Sequence, residues 1–263
     1  MYDYESFKKD VYKLTNINLD MYKERQMKRR IESLIDKNVG KVDYQAFYQA
    51  MVKDEALLRS FISYLTINVS EFYRNPDQWK MFEDDILPMI TKSSNGQLKI
   101  WSAACSTGDE PYTIAMILAK HMPLTKVKIY ATDLDNDVIA FAKNGVYSKR
   151  SVQGLPKELL DNNFTLKDDD YILSDKIKST VEFRKHNLLE DNYPGDMDMI
   201  VCRNVVIYFT EEAKDEVYGK FHKALKDSGI LFIGSTEQIV KSKELGFEVC
   251  KSFFYKKIKK PLR

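Results

Sequence analysis

Two carboxylates stand beside a glycine turn, and a third ends a separate apolar run. The turn is CSTGDEP, where Asp109 and Glu110 follow Gly108 and precede Pro111 and the apolar stretch YTIAMILAKHM. Acids in a first helical turn suit the helix dipole, so plain capping is one reading. Their charge disfavours another, because a pyrophosphate held at that helix end would be repelled. S-adenosylmethionine carries an ammonium and a sulfonium and no phosphate, so this turn suits it better than a dinucleotide.

Gly108 alone decides nothing, since many strand-to-helix turns carry one glycine for backbone reasons. Asp133 ends the run VKIYATD, 25 residues beyond Gly108. An acid there can accept from both hydroxyls of a ribose. Capping of the next helix by Asp133 or Asp135 is the plainer alternative. Arg203, Asn204 and Tyr208 follow the run MIVC, at what would be the carboxyl edge of a sheet. An Asn there is often only a turn residue, and a Tyr in IYF is often core with its hydroxyl at the rim. These three carry meaning only as a group.

Such groups need a scaffold that gathers loop ends. From Leu98 onward the strand-like runs LKIWSAA, VKIYATDLD, VEFRK, DMDMIVC and ILFIGS alternate with helical patterns. The helices are YTIAMILAKHM, DNDVIAFAKNGV and EEAKDEVYGKFHKALKDSG, the last ending at Gly229. Alternation of this kind predicts an α/β fold with a doubly wound, mostly parallel sheet. FEVCKSFFYKKI would close it as an edge pair. Between about 148 and 180 the pattern breaks: a short helical stretch, LPKELLDNNF, precedes TLKDDDYILSDKIKST, which predicts an inserted β-hairpin subdomain.

Ahead of this lies a small all-helical N-terminal domain with its linker, residues 1–75, so that 76–263 form the larger domain. Met27, Ile31, Leu34 and Ile35 recur at helical spacing, and Asn38 to Lys41 mark a break. TINVSEFYRNPDQW links the two regions, with Asn75-Pro76 as a turn or helix start.

Composition narrows the function classes. Of 263 residues, 44% are hydrophobic and 30% charged, enough for a core and a wetted surface. A formal net charge of +2 offers no broad field for nucleic acid. Three widely spaced cysteines, Cys105, Cys202 and Cys250, argue against a disulfide framework. Three scattered histidines lack metal-ligand spacing, so no metal is expected. The start, MYDYESFKKD, does not read as a signal peptide, and no apolar run approaches the roughly 20 residues that cross a bilayer. A cytoplasmic protein without membrane insertion is expected.

Taken together, NVSEFYR (68–74), WSAACSTGDEPYTIAM (101–116), ATDLD (131–135), CRNVVIYF (202–209) and GSTEQ (234–238) resemble the CheR-type chemotaxis receptor methyltransferases. The likeness covers nearly the whole chain. It implies methyl transfer from S-adenosylmethionine, with S-adenosylhomocysteine as product, to glutamate side chains on a chemoreceptor's cytoplasmic helices. It implies that Asn68, Ser70 and Arg74 reach over the cofactor, that Glu110 holds its amino group and Asp133 its ribose. Asn187 and Leu188 would lie near the adenine, Arg203 and Asn204 would complete the pocket, and Arg74 and Tyr208 would sit nearest the methyl. Ser70 stands where Thr is usual and Tyr73 where Phe is common, both mild departures.

The stretch MYKERQMKRR is basic, with Arg25 and Arg29 one helical turn apart. A solvated helix face is the ordinary meaning of such a cluster. The resemblance implies instead that Arg25, Lys28 and Arg29 dock acidic receptor helices onto a monomeric enzyme. Some members carry a glycine-containing loop in the insertion that grips a receptor peptide; LKDDDYILSDKIK has no glycine, so the likeness does not extend there. Two rival readings are a methyltransferase of this fold with another acceptor and a silent binding module. A silent module would be expected to lose Arg74, Glu110, Asp133, Asn204 or Tyr208, all of which are present.

Overall fold

A computed structural model describes residues 2–93 and 96–259. Four helices open the chain: α1 (Tyr4–Thr15), α2 (Glu24–Val39), α3 (Tyr44–Lys53) and α4 (Glu55–Thr66). Short polar side chains start three of them, Asp3, Asp43 and Asp54 accepting from backbone N–H groups in the first turns of α1, α3 and α4. Gly40, at φ 77°, ends α2 within the break that the sequence marks. Phe7, Val11, Ile31, Ile35, Phe47 and Phe61 fill the centre of this bundle. The four-residue spacing of Phe7 and Val11, and of Ile31 and Ile35, puts each pair on one inward stripe.

After an irregular segment at 67–75, α5 (Pro76–Met81) runs through a π-helical stretch, Phe82–Ile86, into α6 (Leu87–Ser93). The chain continues as β1 (Leu98–Ala103), α7 (Asp109–His121), β2 (Val127–Asp133), α8 (Asn136–Asn144), β3 (Val146–Ser148), α9 (Lys149–Val152), α10 (Lys157–Asn163), β4 (Phe164–Lys167), β5 (Asp170–Leu173) and α11 (Asp175–Lys178). It ends with β6 (Val181–Lys185), β7 (Met197–Cys202), α12 (Glu211–Ala224), β8 (Leu225–Ile233), β9 (Phe247–Lys251) and β10 (Phe254–Lys257). The seven-stranded sheet runs β6-β2-β1-β7-β8-β10-β9, parallel from β6 to β8 and antiparallel at β10 and β9.

Both faces of the sheet are covered, which is why its strands read as continuous apolar runs. Along β1, Leu98 and Ile100 face the core under α5, α6 and α7, while Trp101 and Ala103 face the core under α12. The buried Trp101 indole donates to Thr132 Oγ1 at 2.9 Å, so the polar edge of this large ring is satisfied. Strand order reverses between β1 and β7, and a crevice opens beyond their carboxyl ends, as such sheets provide.

Three local expectations change. The helix expected to reach Gly229 ends at Ala224, and Leu225 already begins β8. Lys226 turns back to the buried Asp198 at 2.7 Å, and Ser228 adopts φ 63°, so the Lys-Asp-Ser-Gly stretch forms an irregularity in the strand. The insertion gains a third strand, β3, giving the order β3-β5-β4. Its hairpin turn is Asp168-Asp169, both in the left-handed region (φ 49° and 71°), the two-residue geometry that Asp tolerates without glycine. Asp175–Lys178, expected within the hairpin, is the short helix α11. Among the described residues, no helix is long and apolar enough to cross a membrane.

Candidate functional site

The crevice begins at the β1–α7 turn. Ala104, Ser106 and Gly108 alternate into the left-handed region (φ 62°, 49° and 87°), and Gly108 N donates back to Cys105 O at 3.1 Å. A Cβ at Gly108 would lie 2.8 Å from Ala142 Cβ, so glycine is required both for φ and for the packing of α7 against α8. Asp133 closes this turn: its carboxylate accepts from Ser106 N at 2.8 Å and Asp135 N at 3.0 Å. Burial raises its pKa to about 6, against the pull of those backbone donors. The capping role belongs to Asp135, which accepts from Asp137 N at 2.8 Å at the start of α8. The other Asp135 oxygen receives Asn68 Nδ2 at 2.7 Å and Ser63 Oγ at 2.5 Å, fastening the linker and α4 to the end of β2.

Asp109 is 2% exposed, and burial pushes its carboxyl up; hydrogen bonds from Thr107 and Ser70 pull it back. Glu110 accepts from Ser102 Oγ at 2.8 Å and faces Arg203 Nη1 at 3.5 Å. Burial raises the Glu110 pKa, and Arg203 opposes the rise.

Arg203 does more than border the crevice. Its Nη2 donates to Gln78 Oε1 at 2.6 Å, Arg74 O at 2.8 Å and Asn75 Oδ1 at 3.0 Å. The guanidinium lies over Trp79 and Phe232, at 5.1 Å and 4.8 Å from the ring centres. One buried cation thereby ties the linker, α5, α7 and the end of β7 together. Tyr73 and Asn75 flank Arg74 with φ of 56° and 60°, a strained turn whose carbonyl is aimed at Arg203. The Arg74 side chain is half-buried, with Nη1 3.2 Å from Val69 O.

Asn204 sits at φ 61°, held by Glu237, a residue with no expected role. The buried Glu237 accepts from Gly234 N at 2.6 Å, Asn204 N at 3.0 Å and Val205 N at 3.0 Å. It clamps the loop after β7 to the loop after β8; GSTEQ carried that signal without saying which residue mattered. Asn187 spends its amide on its surroundings, accepting from Leu189 N at 3.0 Å and donating to Asn16 O at 2.9 Å. Its neighbour Leu188 presents an apolar wall.

Tyr208 lies on a one-turn 3-10 helix, Val206–Tyr208, and the helical region reaches it directly. Lys23 N donates to Tyr208 O and Thr210 N to Met21 O, both at 2.9 Å, around an antiparallel bridge between Tyr22 and Phe209. Tyr22 therefore lines the crevice, which no local sequence signal could announce.

Two adjoining cavities make up this crevice. The larger spans about 750 Å3 of empty space, open solvent included, and is lined by Asn68, Asp133, Asn187, Leu188 and Tyr208. The smaller is lined by Ser70, Arg74 and Glu110, and Arg203 and Asn204 border both. Every cofactor and methyl-facing residue expected from sequence thus lines one of the two. Their chemistry suits S-adenosylmethionine: carboxylates face the region an ammonium and a diol would need, and an apolar wall remains for a base. Asn204 Oδ1 and Ser106 Oγ, at the junction, are buried without a partner among the described residues, as expected of groups waiting for a polar ligand. Among the described residues no group of three or more His, Cys, Asp or Glu could hold a metal ion. Cys105 is buried at 1% exposure, and burial with the nearby carboxylates raises its thiol well above the ordinary value.

Arg25 and Arg29 are exposed on α2, while Lys28 is half-buried, its Nζ 5.2 Å from the Tyr4 ring centre.

Comparisons with known proteins agree along the length of the chain. Residues 2–66 match the CheR methyltransferase, all-alpha domain, and residues 68–255 the CheR methyltransferase, SAM binding domain. The chain is 41% identical to a chemotaxis protein methyltransferase of Listeria monocytogenes, with 96% of each chain covered. It is 34% identical to that of Borreliella burgdorferi, covering 91% of this chain and 89% of the other. With its acid-lined crevice at the β1–β7 switch point, the chain belongs to the CheR methyltransferase family and is an S-adenosylmethionine-dependent chemotaxis methyltransferase.

Proposed function

We propose that the chain esterifies glutamate side chains of chemoreceptor cytoplasmic helices, releasing S-adenosylhomocysteine. The convergence of Glu110, Asp133, Asn204 and Arg74 on one crevice carries this reading. When bound, S-adenosylmethionine supplies a methyl carbon activated by its sulfonium. Glu110 and Asn204 Oδ1 accept from the ammonium of its amino-acid part, and Asp133 accepts from the ribose diol. Leu188 and Asn187 border the adenine, while Asn68 and Ser70 hold the covering linker through Asp135 and Asp109. Arg203 keeps Glu110 and the Arg74 turn in register.

The acceptor needs no general base. A glutamate with an ordinary pKa near 4.3 is already a nucleophilic carboxylate at neutral pH. The protein's work is orientation and exclusion of water. Arg74 orients the incoming carboxylate with its planar fork, and Tyr208 hydrogen-bonds beside it. Arg25 and Arg29, exposed on α2, receive acidic receptor helices; Lys28, drawn toward Tyr4, contributes less. Residues 1–75 form the docking domain and linker, and 76–263 the transfer domain. The family matches meet at residues 66 and 68, where that linker starts. The enzyme works as a monomer in the cytoplasm.

The test uses S-adenosylmethionine labelled on its methyl group and a purified receptor cytoplasmic fragment. Label that enters the fragment and leaves as methanol in mild alkali supports a carboxyl ester. Alkali-resistant label would overturn the glutamate assignment and leave the methyltransferase standing.

A further inference from the structure

The helical region is proposed above to meet the acceptor, yet one of its side chains stands inside the crevice. Tyr22 lies between a 3-10 turn, Leu19–Met21, and the start of α2. The antiparallel bridge to Phe209 and the two backbone bonds beside it fix its position to the loop that bears Tyr208. Its ring meets Phe209 edge-on, with centroids 5.2 Å apart and planes at 83°. The half-buried side chain shares the larger cavity with Asp133, Leu134, Asn204 and Tyr208.

The hydroxyl makes no hydrogen bond among the described residues, and its side chain lines the cavity rather than the core. Burial and the Asp133 charge both hold its proton in place, so it is a neutral donor and acceptor. Asp133 can only accept when ionised, so the wall carries an acceptor and a donor side by side. A nucleoside offers both counterparts, ribose hydroxyls to the carboxylate and a ring or ribose oxygen or nitrogen to the phenol.

We propose that Tyr22 is a cofactor-binding residue supplied by the helical region, its hydroxyl holding the nucleoside half of S-adenosylmethionine beside Asp133. This rests on the cofactor placement under Proposed function. It makes the pocket incomplete without the helical region and joins the residue that precedes the docking helix, through Lys23 N and Tyr208 O, to the methyl-facing turn.

Tyr22→Phe removes only the hydroxyl and keeps the ring packing and the backbone bridge. Isothermal titration compares wild type, Tyr22→Phe and Asp133→Asn with S-adenosylhomocysteine and with methylthioadenosine, which lacks the amino-acid part. Tyr22→Phe should bind both about threefold to tenfold more weakly, the loss expected of one neutral hydrogen bond. Unchanged affinity in Tyr22→Phe, with Asp133→Asn weakened, overturns the role of Tyr22 and leaves the cofactor site intact. A loss for S-adenosylhomocysteine but not methylthioadenosine overturns the nucleoside assignment. No binding by wild type overturns the cofactor reading and this inference with it.

Discussion

Replacing Arg203 with methionine removes the guanidinium and keeps an unbranched apolar chain between Trp79 and Phe232. Four groups then lose their partner: Gln78 Oε1, Asn75 Oδ1, the Arg74 carbonyl and the Glu110 carboxylate. The Arg203 side chain is 3% exposed and that of Glu110 12%, so water replaces little of what is lost. Removing one partner of a buried ion pair costs about 3–5 kcal/mol, because the other charge stays buried. Orphaned acceptors cost about 1–3 kcal/mol each, but they share this one donor, so the figures overlap and do not add. The expected destabilisation of Arg203→Met is ~3–5 kcal/mol, read by equilibrium denaturant unfolding. Arg203→Lys keeps the charge but not the fork, and should fall between wild type and Arg203→Met. The double variant Arg203→Met/Glu110→Gln removes the stranded charge and should regain about 1 kcal/mol or more over Arg203→Met alone. It should not regain S-adenosylhomocysteine affinity, because the Arg74–Asn75 turn stays released and the carboxylate proposed to receive the ammonium is gone. If Arg203→Met unfolds within about 1 kcal/mol of wild type, the cation is no structural hub and the reasoning fails.

Arg74→Ala should lower turnover far more than cofactor affinity, and equal losses in both would remove its role at the acceptor. Charge reversal at Arg25 and Arg29 should weaken methylation of the receptor fragment while calorimetric S-adenosylhomocysteine binding holds; unchanged methylation leaves these residues a solvated face. Asp133 titrates near pH 6, and only its ionised form accepts both ribose hydroxyls. Cofactor affinity should therefore fall from pH 7 to pH 5, by about tenfold for each unit well below the pKa, and Asp133→Asn should flatten that profile. Stability of the ligand-free protein moves the other way. A raised folded pKa favours the protonated acid, so this contribution is complete below about pH 4 and is lost as pH rises through about 6.

What the sequence made legible was whatever the chain expresses locally. The runs LKIWSAA and DMDMIVC announce strands buried on both faces because each alternate residue enters a different core. Asp133 and Asp135 were ambiguous in sequence for a plain reason: both follow an apolar run and precede a helix. The hydrogen bonds separate them, one capping α8 and the other closing the glycine turn. Arg203 was expected as a pocket wall, but its inward fork depends on Gln78 and Trp79, more than 120 residues away. Tyr22 reaches the crevice through pairing with Phe209, and Glu237 acts through the backbone of Asn204 and Val205. Neither contact has a local pattern. β3 has no sequence signature, because three residues are too few to display alternation and its pairing with β5 is non-local. The α12 boundary slipped because the helical pattern of KALKDSG continues past the point where Lys226 is drawn to Asp198.

Tandem mass spectrometry of the receptor fragment, after incubation with wild-type enzyme and S-adenosylmethionine, tests the acceptor chemistry most directly. The expected result is one added methyl group on particular glutamate side chains, lost on alkaline treatment and absent with Arg74→Ala. Methyl groups confined to lysine or to the chain terminus, or an unmodified fragment beside an enzyme that binds the cofactor tightly, would contradict it.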